Sequence, residues 1–280
     1  MQNAMLIKTA RELSDSLKTA RIKKKIVGFV PTMGALHNGH LSLVKRAFLE
    51  NDFVVVSIFV NPMQFNNQED LKRYPRTLEK DIELLSSFEN LIIFAPNIEE
   101  IYPENEVFIP IDLGGLDKVL EGEFRPGHFQ GVVHVVHNLF RLIMPNKAYF
   151  GMKDFQQLAI IKFMNKYYGF PLEIVACETL REETGLAMSS RNMRLSENDK
   201  EDALVIWKTL LFIKEKKGNF SPKELQVKAI EFFKLGKLEL EYLAIVDSET
   251  LKEADDWKSS NVCCIAAYCG EVRLIDNLLV

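Results

Sequence analysis

The hydrophobic residues of this chain fall into runs of two kinds. Five runs are short and almost unbroken: 25–30, 53–60, 91–95, 147–150 and 172–177. Pro31, Asn61-Pro62 and Pro96 close the first three. A strand with one wet face alternates apolar and polar residues. A run that is apolar throughout and rich in β-branched and aromatic side chains predicts a strand covered on both faces, as in a parallel sheet. Segments of helical period lie between the runs, at 10–20, 41–50, 78–88, 131–143 and 155–168. Strand then helix, repeated, predicts βαβ units and an α/β fold, a Rossmann-like doubly wound parallel sheet. Ligands of such sheets bind beyond the carboxyl ends of the strands, so the loops after Val30, Val60 and Phe150 are the places to search.

The pattern changes after Cys177. A polar stretch, Arg181-Glu182-Glu183-Thr184-Gly185, leads to Met188-Ser189-Ser190-Arg191, and helical segments follow at 197–217 and 222–235. Strand-like runs at 238–246, 262–269 and 271–275 end the chain, the last two joined at Gly270 as a hairpin. The expectation is a ligand-binding Rossmann-like domain over 1–178. A smaller α+β C-terminal domain over 179–280 then carries the Met188–Arg191 loop as a lid.

Composition narrows the function classes. At 280 residues, with 47% hydrophobic and 26% charged residues, the chain has the make-up of a globular enzyme. A net charge of −4 argues against a nucleic-acid partner, whose phosphates demand a basic face, but leaves room for a local cation cluster around a small anion. No apolar run approaches the roughly 20 residues that span a bilayer, and residues 1–8 lack the order of a signal peptide. The expected compartment is the cytoplasm, with no membrane partner. Cys177, Cys263, Cys264 and Cys269 lack C-x-x-C spacing and read as buried reduced thiols.

The most informative stretch runs from Pro31 through Thr32, Met33, Gly34, Ala35, Leu36, His37, Asn38, Gly39 and His40 to Leu41. It follows a strand and opens a helix, so backbone N–H groups and the helix dipole face an anion there. Gly34 and Gly39 allow close approach of a nucleotide. His37 and His40, three apart, direct both rings to one mouth, where imidazoles can donate to polyphosphate oxygens. Neither a Walker A loop nor G-x-G-x-x-G is present, so an ATP site here is of the histidine type or does not exist.

The His-x-Gly-His pattern resembles the signature of the nucleotidyltransferase and class I aminoacyl-tRNA synthetase superfamily. Met188-Ser189-Ser190-Arg191-Asn192 resembles a shortened form of its mobile Lys-Met-Ser-Lys-Ser loop, with Gly185 as a hinge. Three further stretches narrow the resemblance: Asn61-Pro62-Met63-Gln64-Phe65, Arg125-Pro126-Gly127-His128-Phe129 before a helix, and Gly151-Met152-Lys153-Asp154-Phe155-Gln156-Gln157. Tyr74-Pro75-Arg76-Thr77 and Arg273-Leu274-Ile275-Asp276-Asn277 agree with them. Over nearly its whole length the chain is identified as a member of the pantothenate synthetase (pantoate–β-alanine ligase) family.

That resemblance implies an AMP-forming ligase of the coenzyme A pathway, which condenses (R)-pantoate with β-alanine through a pantoyl-adenylate. ATP is a substrate, with Mg2+ held mainly through its phosphates and no protein metal site. The partners are small molecules, in a homodimer. Met33, Gly34, Ala35, Leu36, His37, Asn38, Gly39 and His40 would line the ATP site. Gly151, Met152, Lys153, Asp154, Leu180, Met188, Ser189, Ser190 and Arg191 would complete it. The catalytic set would be His37, His40, Lys153, Ser189, Ser190 and Arg191. Gln64 and Gln157 would hold pantoate, and Asn61 with Gln64 would seat β-alanine.

Plainer readings stand beside these. Asn61 and Gln64 serve equally as turn caps, Lys153-Asp154 as a surface ion pair, and His128 as a structural residue. His134 and His137 share a helix face without a carboxylate or thiol at matching spacing, which favours packing or a subunit contact over a metal. The rival functions are a nucleotidyltransferase acting on a phosphorylated cofactor precursor, and a non-catalytic ATP sensor.

Overall fold

The computed structural model describes residues 4–258 and 260–280. Six strands, β1 (Met5–Ile7), β2 (Val27–Thr32), β3 (Phe53–Ile58), β4 (Leu91–Phe94), β5 (Lys147–Gly151) and β6 (Glu173–Cys177), form one sheet in the order β1-β4-β3-β2-β5-β6. Every pairing in it is parallel. The helices are α1 (Ala10–Ile22), α2 (Asn38–Glu50), α3 (Gln68–Arg73), α4 (Leu78–Leu85), α5 (Ile98–Ile101), α6 (Glu121–Phe124), α7 (His128–Ile143), α8 (Phe155–Tyr168), α9 (Glu197–Lys216) and α10 (Pro222–Phe233).

Successive strand residues point to opposite faces, and here both faces are covered. Val30, Val54 and Val56 pack with Leu43, Val44 and Ala47 of α2 and Leu85 of α4. Phe29, fully buried, meets Phe140 of α7 edge-on at 6.2 Å between centroids, so α7 lies on the other face. This is why the strand runs are unbroken. From β2 the chain winds outward through β3 to β4, then returns to the far side of β2 with β5 and β6. The switch point lies between β2 and β5, whose carboxyl ends are Thr32 and Gly151.

The chain divides into two compact units. The first comprises Met1–Gly114, Arg125–Gly151 and Ile160–Cys177, and the second Gly115–Phe124, Met152–Ala159 and Glu178–Val280. The second is built on an antiparallel sheet of β7 (Glu239–Asp247), β8 (Asn261–Cys269) and β9 (Val272–Leu279). On one face Ile206, Leu210 and Ile213 of α9 and Leu225 and Phe233 of α10 pack on Ile245, Cys263 and Ile265. On the other, Val246, Val262 and Cys264 meet Leu116, Val119, Leu120 and Phe155, which draws the segments at 115–124 and 152–159 into this unit. A buried ionic group reinforces the join: Arg273 Nη1 and Nη2 donate to Glu121 at 2.7 and 2.8 Å, and Arg273 also pairs with Glu241. Removing one partner of such a group strands the other charge, at a cost of about 3–5 kcal/mol.

Element ends shift where side chains cap them. The helix expected from 41 starts at Asn38, because His37 is its N-cap. That expected from 131 starts at His128, after Gly127 in a left-handed conformation, so His128 and Phe129 are helical. β9 continues to Leu279, four residues beyond the expected end, with Asp276 and Asn277 buried within it. Thr9, Ser196 and Ser221 form capping boxes on α1, α9 and α10. All four cysteines are buried, and burial pushes the Cys263 thiol up. His134 stacks on Phe108 at 4.0 Å, and burial holds it below the usual imidazole range against the pull of Glu106. His137 packs against Tyr168 and Phe170. No helix among the described residues is long and apolar enough to cross a membrane.

Gly131 gives the clearest test of the packing. A Cβ there would lie 2.2 Å from the Met63 carbonyl oxygen and 2.6 Å from its carbon. Helix propensity alone favours alanine by about 0.5–1 kcal/mol, whereas forcing backbone aside costs about 1–3 kcal/mol. The second effect wins, so Gly131→Ala lowers the melting temperature. A rise would show that α7 does not press on the turn at Met63.

Candidate active site

The turn from β2 into α2 has several backbone amides with no helical partner. Asp81 of α4, only 1% exposed, takes two of them: Ala35 N donates to Oδ2 at 2.9 Å and Leu36 N to Oδ1 at 2.8 Å. Gly34 and Ala35 adopt positive φ, 80° and 49°; glycine does so freely, and the Asp81 bonds hold Ala35, whose Cβ makes this region strained. Two of the amides that follow, those of His37 and Gly39, go to imidazoles. Gly39 N donates to His37 Nδ1 at 3.1 Å, and His37 N donates to His40 Nδ1 at 3.3 Å. A ring nitrogen that accepts carries no proton, so each neutral ring holds its hydrogen on Nε2. Two Nε2–H donors thus stand side by side at the N-terminus of α2, with ring centroids 4.1 Å apart.

The second element of this unit is the short 3-10 turn Pro62–Gln64 after β3. Asn61 caps it, its Oδ1 accepting from Met63 N at 3.2 Å and from the Tyr102 hydroxyl at 2.7 Å. Asn61 Nδ2 donates to Gln64 Oε1 and to Gly131 O, both at 3.1 Å. The Asn61 amide, 1% exposed, has every hydrogen-bonding position filled. Because it engages Oε1, Gln64 presents its Nε2 donors, one of which lies 3.0 Å from Met33 Sδ. The β2 and β3 loops therefore meet at Met33 and Gln64. The Gln64 carbonyl is gripped by His128 Nδ1 at 2.8 Å and Arg125 Nη2 at 3.5 Å. His128 donates at Nδ1, the opposite tautomer from His37 and His40. Tyr102 is pushed well above the usual phenol range by burial and then by Glu106, which keeps it a donor.

In the second unit, Met152–Asp154 form a 3-10 turn leading into α8. Asn277 Nδ2 donates to the carbonyls of Met152 and Lys153 at 2.9 and 2.8 Å. Gln156 Nε2 donates to Leu116 O and Val119 O, both at 2.7 Å. Lys153 and Gln157 are half-buried and Asp154 is exposed; no ion pair joins Lys153 to Asp154 among the described residues. The segment 180–188 is a tight hairpin, with Met188 N donating to Leu180 O and Glu182 N to Leu186 O. It delivers Ser189, whose Oγ caps the following turn by accepting from Arg191 N at 3.3 Å. Ser190 is buried and Arg191 half-buried.

Each expected site residue thus lies at a strand end, on a helix mouth or on a fastened turn. Sequence reasoning missed their supports: Asp81, Tyr102, Gln156, Arg181 and Asn277. One signal was readable. Leu78, Asp81, Ile82 and Leu85 share the apolar face of α4, and an acid at such a position implies a buried partner. No group of three His, Cys, Asp or Glu side chains among the described residues is placed to hold a metal ion.

Comparisons with known proteins identify the family. The family model described as Pantoate-beta-alanine ligase matches residues 5–279. The pantothenate synthetase of Phocaeicola vulgatus is 50% identical over 281 residues, covering 98% of both chains. That of Bacteroides fragilis is 48% identical over 280 residues with the same coverage. The crystal structure of pantothenate synthetase from Thermus thermophilus matches with a TM-score of 0.91 and 45% identity, over 98% of this chain and 99% of that one. The pantoate-beta-alanine ligase of Francisella tularensis, complexed with Beta-gamma ATP and beta-alanine, matches with a TM-score of 0.81 and 39% identity, over 99% of this chain and 97% of that one. On motif, fold and full-length identity alike, the chain belongs to the pantoate–β-alanine ligase family.

Proposed function

We propose that this enzyme joins (R)-pantoate to β-alanine with ATP, giving pantothenate, AMP and pyrophosphate through a pantoyl-adenylate. In the first step a pantoate carboxylate oxygen attacks the α-phosphorus, and the bond from that phosphorus to the bridging oxygen of pyrophosphate breaks. In the second step the β-alanine nitrogen attacks the acyl carbon, the carbon–oxygen bond to AMP breaks, and the amine loses a proton. No protein nucleophile is needed. The protein's part is to orient the reactants and steady negative charge.

The observation that carries this reading is the pair of imidazoles whose Nδ1 atoms are occupied by backbone amides. Their Nε2–H groups, with the dipole of α2, suit the charge that grows on departing pyrophosphate. Met33 to His40 line the nucleotide. Gly151, Met152 and Asp154 lie along it, and Leu180 and Met188 cover it. Lys153, Arg191 and the hydroxyls of Ser189 and Ser190 bind its phosphates. Gln64 and Gln157 hold pantoate through neutral amides. Asn61, filled by protein partners, serves β-alanine through the fixed face of Gln64. Mg2+ bound with ATP would supply further neutralisation of phosphate charge, beside the roles of Lys153 and Arg191. The 179–280 region acts as a lid, and the enzyme works as a cytoplasmic homodimer.

Pantoate-dependent exchange of labelled pyrophosphate into ATP, with no amine present, tests the adenylate directly; exchange that waits for β-alanine would exclude it. His40→Ala and Lys153→Ala are each expected to lower kcat by about 10²-fold or more at nearly unchanged melting temperature. A fall that tracks unfolding would make these residues structural. Sedimentation equilibrium is expected to give about twice the 32.1 kDa chain mass, and the mass of a single chain would remove the dimer.

A further inference from the structure

Asn277 sits near the end of β9, where its backbone serves the small antiparallel sheet. Its side chain serves something else. Both amide hydrogens go to the carbonyls of the turn that carries Lys153, at 2.9 Å to Met152 O and 2.8 Å to Lys153 O. A three-residue 3-10 turn has almost no ladder of its own, so these two bonds decide where the lysine stem begins.

The neighbouring residue faces the other phosphate-binding segment. Asp276 takes Arg181 as a two-pronged pair, Nη1 to Oδ2 at 2.6 Å and Nη2 to Oδ1 at 2.9 Å, and Oδ1 also accepts from Asn277 N at 2.8 Å. Arg181 lies 3.6 Å over the Trp207 ring and donates to Gly185 O at 3.1 Å, pinning the hairpin that ends in Met188–Arg191. At Gly185, with φ of 99°, a Cβ would come within 2.2 Å of Trp207, so the hairpin lies flat on the indole. Planar guanidinium pairs of this kind fix direction as well as distance. Asp276 and Asn277 are 4% and 5% exposed. Apolar residues at two such positions would satisfy the sheet. The polar pair instead links two segments that the sheet does not otherwise order.

We infer that Asn277 is a positioning residue for the adenylation step: it sets the Lys153 turn against the loop anchored by Asp276 and Arg181, so that lysine and loop meet the nucleotide as one rigid group. This rests on the phosphate role given to Lys153 above. Displacing a charged group by about 1 Å can cost 10²-fold, and loss of two bonds permits such a shift.

The test is a double-mutant cycle read in pyrophosphate exchange, with circular dichroism and melting temperature followed in parallel. Asn277→Ala is expected to lower the exchange rate by about 10- to 100-fold, while KM for β-alanine in the full reaction stays unchanged. In a Lys153→Ala background the same substitution should cost clearly less than in the wild type, because the main charge it positions is gone and only the contacts of Met152 and Asp154 on that turn remain to be disturbed. Additive losses in the double variant, or a wild-type rate for Asn277→Ala, would overturn the inference. Should the alanine variant fail to fold, Asn277→Ser, which keeps one donor, takes its place in the same cycle. It is expected to give an intermediate rate, and a wild-type rate from it overturns the inference equally. Full exchange by Lys153→Ala alone would instead remove the role assigned to Lys153, so the two failures are told apart.

Discussion

The site depends on where the unpaired amides of one strand-to-helix turn find their acceptors. At the start of a helix these N–H groups have no intrahelical partner, and leaving them buried and unmet is expensive. Asp81 takes those of Ala35 and Leu36, and the Nδ1 atoms of His37 and His40 take those of Gly39 and His37. Each choice has a chemical consequence. The carboxylate of Asp81, also within 3.2 Å of the Thr77 hydroxyl, sits among oriented donors, so its charge would not stand bare against a phosphate in the proposed site. The imidazoles, tied at one nitrogen, are held in the tautomer that donates from the other. The donors are in place before the ligand arrives, which is when preorganisation contributes most to a reaction that builds charge.

The same economy of hydrogen bonds governs Gln64. A carboxamide can present either its oxygen or its nitrogen, and the two are nearly isosteric. Asn61 removes the choice by donating to Oε1, and Tyr102 in turn fixes Asn61. From behind, His128 holds the Gln64 backbone carbonyl. Three histidines near this turn thus use their protons in two ways. His37 and His40 accept from backbone at Nδ1 and so keep their hydrogen on Nε2, whereas His128 donates to backbone and so supports the scaffold. Position in a motif does not distinguish these cases; the partner of Nδ1 does.

This explains how far the sequence could be read. The parallel sheet was legible because its strands are buried on both faces and so lose all polar alternation, as Val54, Val55 and Val56 show. The histidine loop was legible because a strand, two glycines and a helix start fall in close order. β1 escaped notice because it is three residues long at a sheet edge, with Met5 and Leu6 largely exposed. The grouping of 115–124 and 152–159 with the second unit also escaped, since apolar residues there look alike whichever sheet they cover. The supports were the hardest to see. Asp276 and Asn277 entered only as part of a family-like stretch beyond the expected strand end at 275, and only three-dimensional pairing with Arg181, Met152 and Lys153 reveals their work.

The proposed choice of substrate rests on the kind of donor at the β3 turn. Gln64 offers neutral N–H groups at an orientation fixed by Asn61. A phosphate dianion loses far more hydration than a carboxylate on entering a site, and neutral amides return too little of it. A carboxylate flanked by hydroxyls loses less and can be satisfied by the same amides. Cations, in contrast, are useful where negative charge grows during the reaction, which is the part assigned to Lys153 and Arg191. A polyol acid activated by ATP therefore suits this division of labour better than a phosphorylated acceptor, because the strongest charge compensation belongs to the transferring phosphoryl group and the neutral amides belong to the acid that attacks it.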